Sequence, residues 1–235
     1  MAIDYQNVLP DPNYEIGSDG GDGTSGNAAG SNGPGFASVT LTSKAPIMKT
    51  RTNSGRMVAR ALKFHQWNIG ISYNPMTRTE FEPVYNFLIN RRGSLKPFFV
   101  SLPQYRNPQD STMAGTIKVD GAAIAGATSM KIDGFTAGNP TPGDLFTVTD
   151  ASDSNHKKTY RITQVETNTH YNSVQPATGE RIIHFIPGLQ KATFDNADLV
   201  FTNPLIRVIA TDVQEYSLNK EGLYSFSLKL EEALP

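Results

Sequence analysis

The clearest pattern of apolar and polar positions lies at Trp67-Asn68-Ile69-Gly70-Ile71-Ser72-Tyr73, where the two classes alternate strictly. A period of two is that of a strand buried on one face. Asn74-Pro75 reads as a turn, and Phe81, Val84, Tyr85 and Leu88 then recur at helical spacing. Two capping boxes compete for the start of that helix, Thr77-Arg78-Thr79-Glu80 and Thr79-Glu80-Phe81-Glu82. Pro83 favours the second, because from Thr77 its ring falls well inside the helix, at a cost of about 3 kcal/mol. The spacing therefore predicts a helix from about Thr79 to Arg92, closed by a left-handed cap at Gly93. Leu95 to Val100 is a second apolar strand, ahead of Pro103.

The flanking segments are also β-like. Ordered structure is expected from Phe36, where Val39 and Leu41 alternate with Thr40 and Thr42, and Asn53-Ser54-Gly55 reads as a turn. Leu62 and Phe64 are at even positions whereas Trp67 to Tyr73 use odd ones, so a bulge or bend is expected near His65-Gln66. From Ala114 to Phe201 six short strands are predicted: 116–119, 129–132, 145–149, 159–165, 182–186 and 199–201. Turn signals separate them, among them Asp120-Gly121, Asp133-Gly134 and Pro187-Gly188, as in a small barrel or sandwich. Two longer strands follow, 205–210 and 222–230. The fold class is mainly β: a split β-sandwich domain (36–110 with 202–235) with one helix, carrying an inserted small all-β barrel or sandwich domain (111–201).

Residues 1–35 read as a flexible glycine-rich arm, since Gly17 to Gly35 cannot bury enough apolar area to offset its ordering entropy. The apolar residues ahead of that tract suggest that the first residues dock, on a neighbouring subunit for example. Asp19-Gly20-Gly21-Asp22-Gly23 lacks the spaced carboxylates and closing Glu of a calcium loop, and a plain linker outweighs the metal reading. The chain has no cysteine, which removes disulfides and thiolate metal sites. A net charge of −1 gives no overall reason to expect nucleic-acid binding. No apolar run approaches the ~20 residues of a membrane helix, and the N-terminus lacks the pattern of a signal peptide.

Candidate chemistry is sparse. His65, His156, His170 and His184 show no metal-ligand spacing, and no nucleophile elbow or phosphate-binding glycine loop occurs. Glu80 and Glu82 point to different faces of a helix, which disfavours a catalytic carboxylate pair. No cofactor is expected. One charge feature stands out: between Lys44 and Arg106 basic residues far outnumber Glu80 and Glu82. Three readings are open, a solvated face, a subunit interface that meets acidic neighbours, and nucleic-acid contact. Arg91, Arg92, Arg51 and Arg56 are the candidate interface residues.

From Arg51-Thr52-Asn53-Ser54-Gly55-Arg56 to Pro103 the chain resembles tail-tip proteins of tailed bacteriophages, namely the lambda-type minor tail proteins and the distal tail proteins. In these a glycine turn precedes an aromatic-bearing strand, a helix, a glycine stop and an aromatic strand ending in proline. The corresponding elements here are Gly55, Trp67 to Tyr73, Thr79 to Arg92, Gly93, and Phe98-Phe99 with Pro103. The insert, through Pro142 to Val148, Thr159 to Thr163 and Ile182 to Leu189, is similar to small β domains of phage structural proteins. The resemblance implies a non-enzymatic virion component, assembled in the host cytoplasm. It would form a ring, commonly sixfold, joining the tail tube to the hub or receptor-binding apparatus, with tube, hub and fibre proteins as partners. It implies neither sequence-specific nucleic-acid binding nor membrane association. The alternative is a carbohydrate- or receptor-binding β module using Tyr160, Tyr171 and Phe194. An enzyme acting through Glu80 or Glu82 is the third reading.

Overall fold

The computed structural model describes residues 7–12, 33–61, 64–149, 156–211 and 215–234. The chain divides into two compact units, one built from residues 1–99 with 207–233, the other chiefly from 100–206. The expected insert, 111–201, lies within the second unit. The division cuts strands 98–101 and 205–210, which belong to the sheet of the first unit.

Fourteen strands and one α-helix occur among the described residues: β1 (Phe36–Lys44), β2 (Ile47–Arg51), β3 (Met57–Ala61), β4 (Gln66–Tyr73), α1 (Arg78–Arg91), β5 (Phe98–Ser101), β6 (Ala114–Val119), β7 (Ser129–Ala137), β8 (Leu145–Thr149), β9 (Thr159–Glu166), β10 (Arg181–Ile186), β11 (Asp198–Val200), β12 (Leu205–Ala210), β13 (Tyr216–Leu218) and β14 (Tyr224–Glu232). The class is mainly β with one α-helix and an inserted barrel, as the sequence pattern predicts.

In the first unit the sheet order is β1-β4-β14-β12-β5, with β13 paired to β14. The alternation at Trp67 becomes the centre of this sheet, and Trp67, Ile69, Ile71 and Tyr73 are all buried. The antiparallel register sets Leu41 and Leu230 opposite Ile69 on either side, and Val39 and Leu228 opposite Ile71. Cross-strand rows of this kind are what stabilise a sheet face. At the end of β4 the buried Glu232 carboxylate accepts the Trp67 backbone N–H at 3.0 Å.

The strands on either side of the expected bulge, β3 and β4, are separate strands in separate sheets, and Leu62 lies outside the described residues. The helix also starts earlier than Pro83 suggested. Thr77 is its N-cap, and the Glu80 carboxylate accepts both the Thr77 N–H (2.9 Å) and the Thr77 hydroxyl (2.8 Å). Pro83 removes only the bond to the Thr79 carbonyl, and Thr79 is exposed, where water satisfies that oxygen. The competing cap is spent elsewhere, because Glu82 pairs with Arg78 at 3.1 Å. Phe81, Pro83, Val84, Phe87, Leu88 and Arg91 form the buried face. The helix ends one residue early, and Arg92 takes the left-handed position (φ 54°) ahead of Gly93.

Of the first residues, Val8 and Leu9 are docked on their own chain, and residues 1–6 lie outside the described residues. Val8 bridges Phe99 in parallel, and Leu9 N–H donates to the Phe99 carbonyl at 2.9 Å. Val8 and Leu9 are both buried. Gly33 N–H then donates to the Asp11 carbonyl at 3.1 Å, so residues 11 and 33 stand side by side. Most of the glycine-rich tract, residues 13–32, lies outside the described residues.

The second unit is a closed six-stranded barrel in the order β10-β7-β6-β11-β8-β9. Ile132, Phe146, Tyr160, Ile162, Ile183 and Phe185 fill its interior. Asp133-Gly134 is not a turn but lies inside β7. There Gly134 (φ +84°) faces Gly115 (φ +120°) of β6 across a register shift, which bends both strands for closure.

Candidate interaction surface

Strands β2 and β3 form a hairpin that is a two-stranded sheet of its own. Its register pairs Ile47 with Ala61, Met48 with Arg60, Lys49 with Ala59, Thr50 with Val58 and Arg51 with Met57. The turn is closed by Thr52 N–H to the Arg56 carbonyl at 2.9 Å and Gly55 N–H to the Thr52 carbonyl at 2.8 Å. A sheet face is normally covered, yet every residue from Ile47 to Arg60 is exposed. The exposed apolar side chains include Ile47 (52%), Met48 (62%), Met57 (54%) and Val58 (47%). Neighbouring strand positions point to opposite faces, so both faces of the hairpin are part apolar.

The charge of this element is one-sided. It carries Lys49, Arg51, Arg56 and Arg60, and no acidic residue occurs between Phe36 and Thr79. None of these four cations has an acidic partner among the described residues. Three cations elsewhere do pair with acids: Arg78 with Glu82, Lys118 with Asp198 at 3.4 Å, and Lys131 with Asp120 at 2.7 Å and Glu180 at 3.1 Å. The hairpin therefore presents arginine forks and aliphatic side chains together. That combination suits a partner with carboxylates set among apolar groups.

The four candidate arginines do not form one cluster. Arg51 and Arg56 flank the hairpin turn and are exposed. Arg92 is exposed at the end of α1. Arg91 is 1% exposed, with its guanidinium 4.9 Å from the Phe87 ring centroid, so its side chain belongs to the core and is not available to a partner.

No protein-family model matches this sequence, and no curated protein matches it.

The four histidines have local surroundings of their own. His65 bonds the Ser43 hydroxyl at 2.9 Å and packs edge-on against Trp67. His156 bonds the Tyr160 hydroxyl at 2.7 Å inside the barrel unit, and the Gln190 N–H donates to the same hydroxyl at 2.9 Å. Tyr160 is thus buried and cannot stack on a sugar, whereas Tyr171 and Phe194 are exposed. His170 sits by the Thr169 hydroxyl. His184 lies 2.6 Å from Glu166, whose carboxylate also accepts the Asn172 N–H and side-chain amide. The Asn172 and His184 hydrogen bonds hold the Glu166 carboxyl below the usual carboxylate range and tie the loop after β9 to β10. Glu80 is likewise lowered by its Thr77 bonds, the signature of a cap.

A cleft of about 240 Å³ in the second unit is lined by Tyr105, Gln109, Asp144 and Arg161, among others. The Asp144 carboxylate is committed to the Gln109 and Thr141 N–H groups, and Arg161 lies over the Tyr105 ring. No group of three or more His, Cys, Asp or Glu placed to hold a metal ion occurs among the described residues. The Asp19 to Gly23 segment lies outside them. No described helix is long and apolar enough to cross a membrane.

The basic excess was visible in the sequence, but the detachment of the hairpin was not read from it. Two signals carried it: apolar residues at adjacent positions (Ile47-Met48, Met57-Val58), which put apolar groups on both faces of a strand, and the run without acids.

Proposed function

We propose that the protein is a structural, self-associating subunit of a bacteriophage tail tip or baseplate, forming a ring that joins the tail tube to the hub or receptor-binding apparatus. The observation that carries this reading is the exposed, basic and part-apolar hairpin. An isolated two-stranded hairpin is marginally stable in water, and an exposed apolar surface of this kind marks an interaction site. The resemblance of residues 51–103 to tail-tip proteins supplies the assembly. The first unit is the ring-forming part on this reading, and the inserted barrel is displayed from it. Sedimentation of the purified chain and electron microscopy of virions test the proposal. A chain that stays monomeric and is absent from purified virions overturns it.

A further inference from the structure

Charge is segregated along this chain. Residues 1–35 hold Asp4, Asp11, Glu15, Asp19 and Asp22 and no lysine or arginine. The hairpin holds four cations and no acid. We propose that the acidic segment 13–32 of one copy docks on the β2–β3 hairpin of a second copy, so that the subunits associate head to tail. The proposal rests on the self-association reading and names the two surfaces that meet.

The position of the segment's root favours a second copy over the same chain. The segment is rooted at Asp11 and Gly33, whose backbones are bonded. A Cβ on Gly33 comes within 2.7 Å of the Asp11 nitrogen, which shows how closely the two strands of the root are packed. This root lies near the start of β1, because only Pro34 and Gly35 separate Gly33 from Phe36, and the Asp11 charge acts on Tyr73, the partner of Phe36. The hairpin is attached at the other end of β1, after Lys44.

Those two ends are about 27 Å apart at ~3.4 Å per residue of strand. A segment of 20 residues pinned at both ends reaches at most about 34 Å out and back when fully extended. A glycine-rich chain so stretched loses most of its conformational freedom. A second copy removes that constraint. Complementary surfaces at opposite ends of one subunit make a heterologous contact, and such contacts close into rings when the rotation permits.

The chemistry of the two surfaces also agrees. Glu15, Asp19 and Asp22 offer carboxylates to Lys49, Arg51, Arg56 and Arg60. Tyr14 and Ile16 offer apolar groups to Met48, Met57 and Val58. Attraction of this type is weakened by salt over a Debye length of about 8 Å at physiological ionic strength.

The test is a charge swap in the full-length chain. Arg51→Glu with Arg56→Glu reverses the hairpin tip, and Glu15→Lys, Asp19→Lys and Asp22→Lys reverse the segment. Sedimentation velocity at low and high salt reads association, and circular dichroism checks folding. Each reversed variant is expected to associate at least tenfold more weakly. The chain carrying both reversals is expected to recover to within about threefold.

If the wild type associates and the segment reversal changes nothing, this inference is overturned while self-association stands. A partner other than segment 13–32 then covers the hairpin. If the wild type is monomeric at every concentration, self-association falls with it. The absence of native cysteine permits a second measurement. Oxidation of Ser18→Cys/Ser54→Cys is expected to give cross-linked multimers, and a wholly intramolecular disulfide overturns the second-copy assignment.

Discussion

Replacing Gly134 by alanine separates two costs that are usually merged. Gly134 has φ +84° and Gly121 has φ +82°, so alanine at either meets the same backbone penalty, about 1 kcal/mol. Their surroundings differ. Nothing lies within 4 Å of a Cβ on Gly121, whereas a Cβ on Gly134 falls inside contact distance of the Thr116 carbonyl oxygen and 3.0 Å from its carbon. Those are backbone atoms of β6, paired to β7, and they move only by opening the ladder that closes the barrel. Overpacking of that kind costs about 1–3 kcal/mol. Gly134→Ala is therefore expected to destabilise the barrel by about 3 kcal/mol, and Gly121→Ala by about 1 kcal/mol. For a unit of roughly 100 residues the unfolding entropy makes these about 10–15 °C and about 5 °C in Tm. Calorimetry of the full chain measures both. Trp67, the one tryptophan, reports the first unit by fluorescence and is expected to be unaffected. Equal losses for the two variants, within about 0.5 kcal/mol, would refute the reasoning, because the β6 backbone would then have relaxed without cost.

Four further outcomes follow from the first unit and the barrel surface. Arg91→Ala is expected to destabilise by about 2–4 kcal/mol through lost core packing, whereas Arg92→Ala is expected to stay within ~0.5 kcal/mol, both read by urea unfolding. Arg92→Gly is expected to stabilise by up to about 1 kcal/mol, because it relieves a side chain held in the left-handed region; a loss would show that the Arg92 side chain has an unrecognised role. Thr77→Ala is expected to cost about 1 kcal/mol, and Thr79→Ala, at the losing cap, much less. Glu166 has a depressed folded-state pKa, so its contribution is present above the ordinary carboxylate range and is lost as pH falls through the folded value. The urea midpoint of the wild type is accordingly expected to fall more steeply than that of Glu166→Gln on acidification below about pH 5, and parallel curves would remove Glu166 from the acid response.

What the sequence made legible is what local periodicity controls. The strands at Trp67 and Leu205 and all six strands of the barrel could be found because each is short, apolar on its buried face and bounded by turn residues. In each error one local rule was outweighed by another contact, near or far along the chain. Pro83 argued against the Thr77 cap, but the proline costs one hydrogen bond at an exposed carbonyl while the Thr77–Glu80 box satisfies the helix start. Asp133-Gly134 has turn chemistry, yet its left-handed glycine serves a bend inside a strand once Gly115 faces it. Arg91 and Arg92 are adjacent in sequence, and only the buried face of α1 decides that one is core and the other surface.

The same reasoning explains why the hairpin was half visible. Its charge is a property of sequence and could be counted. Its exposure is a property of what does not pack on it, and no window of residues reports that. A strand with apolar residues at adjacent positions has apolar groups on both faces, and it is either covered by neighbouring elements or left exposed. β12 and β2 show how alike the two cases are. Leu205-Ile206-Arg207-Val208-Ile209-Ala210 and Ile47-Met48-Lys49-Thr50-Arg51 both open on two consecutive aliphatics and carry a cation. The first lies within a sheet, between β14 and β5, with Ile206, Val208 and Ala210 buried. The second is exposed throughout. The difference is the supply of neighbours. Among the described residues β2 has only β3 as a strand partner, so its apolar side chains stay exposed on both faces.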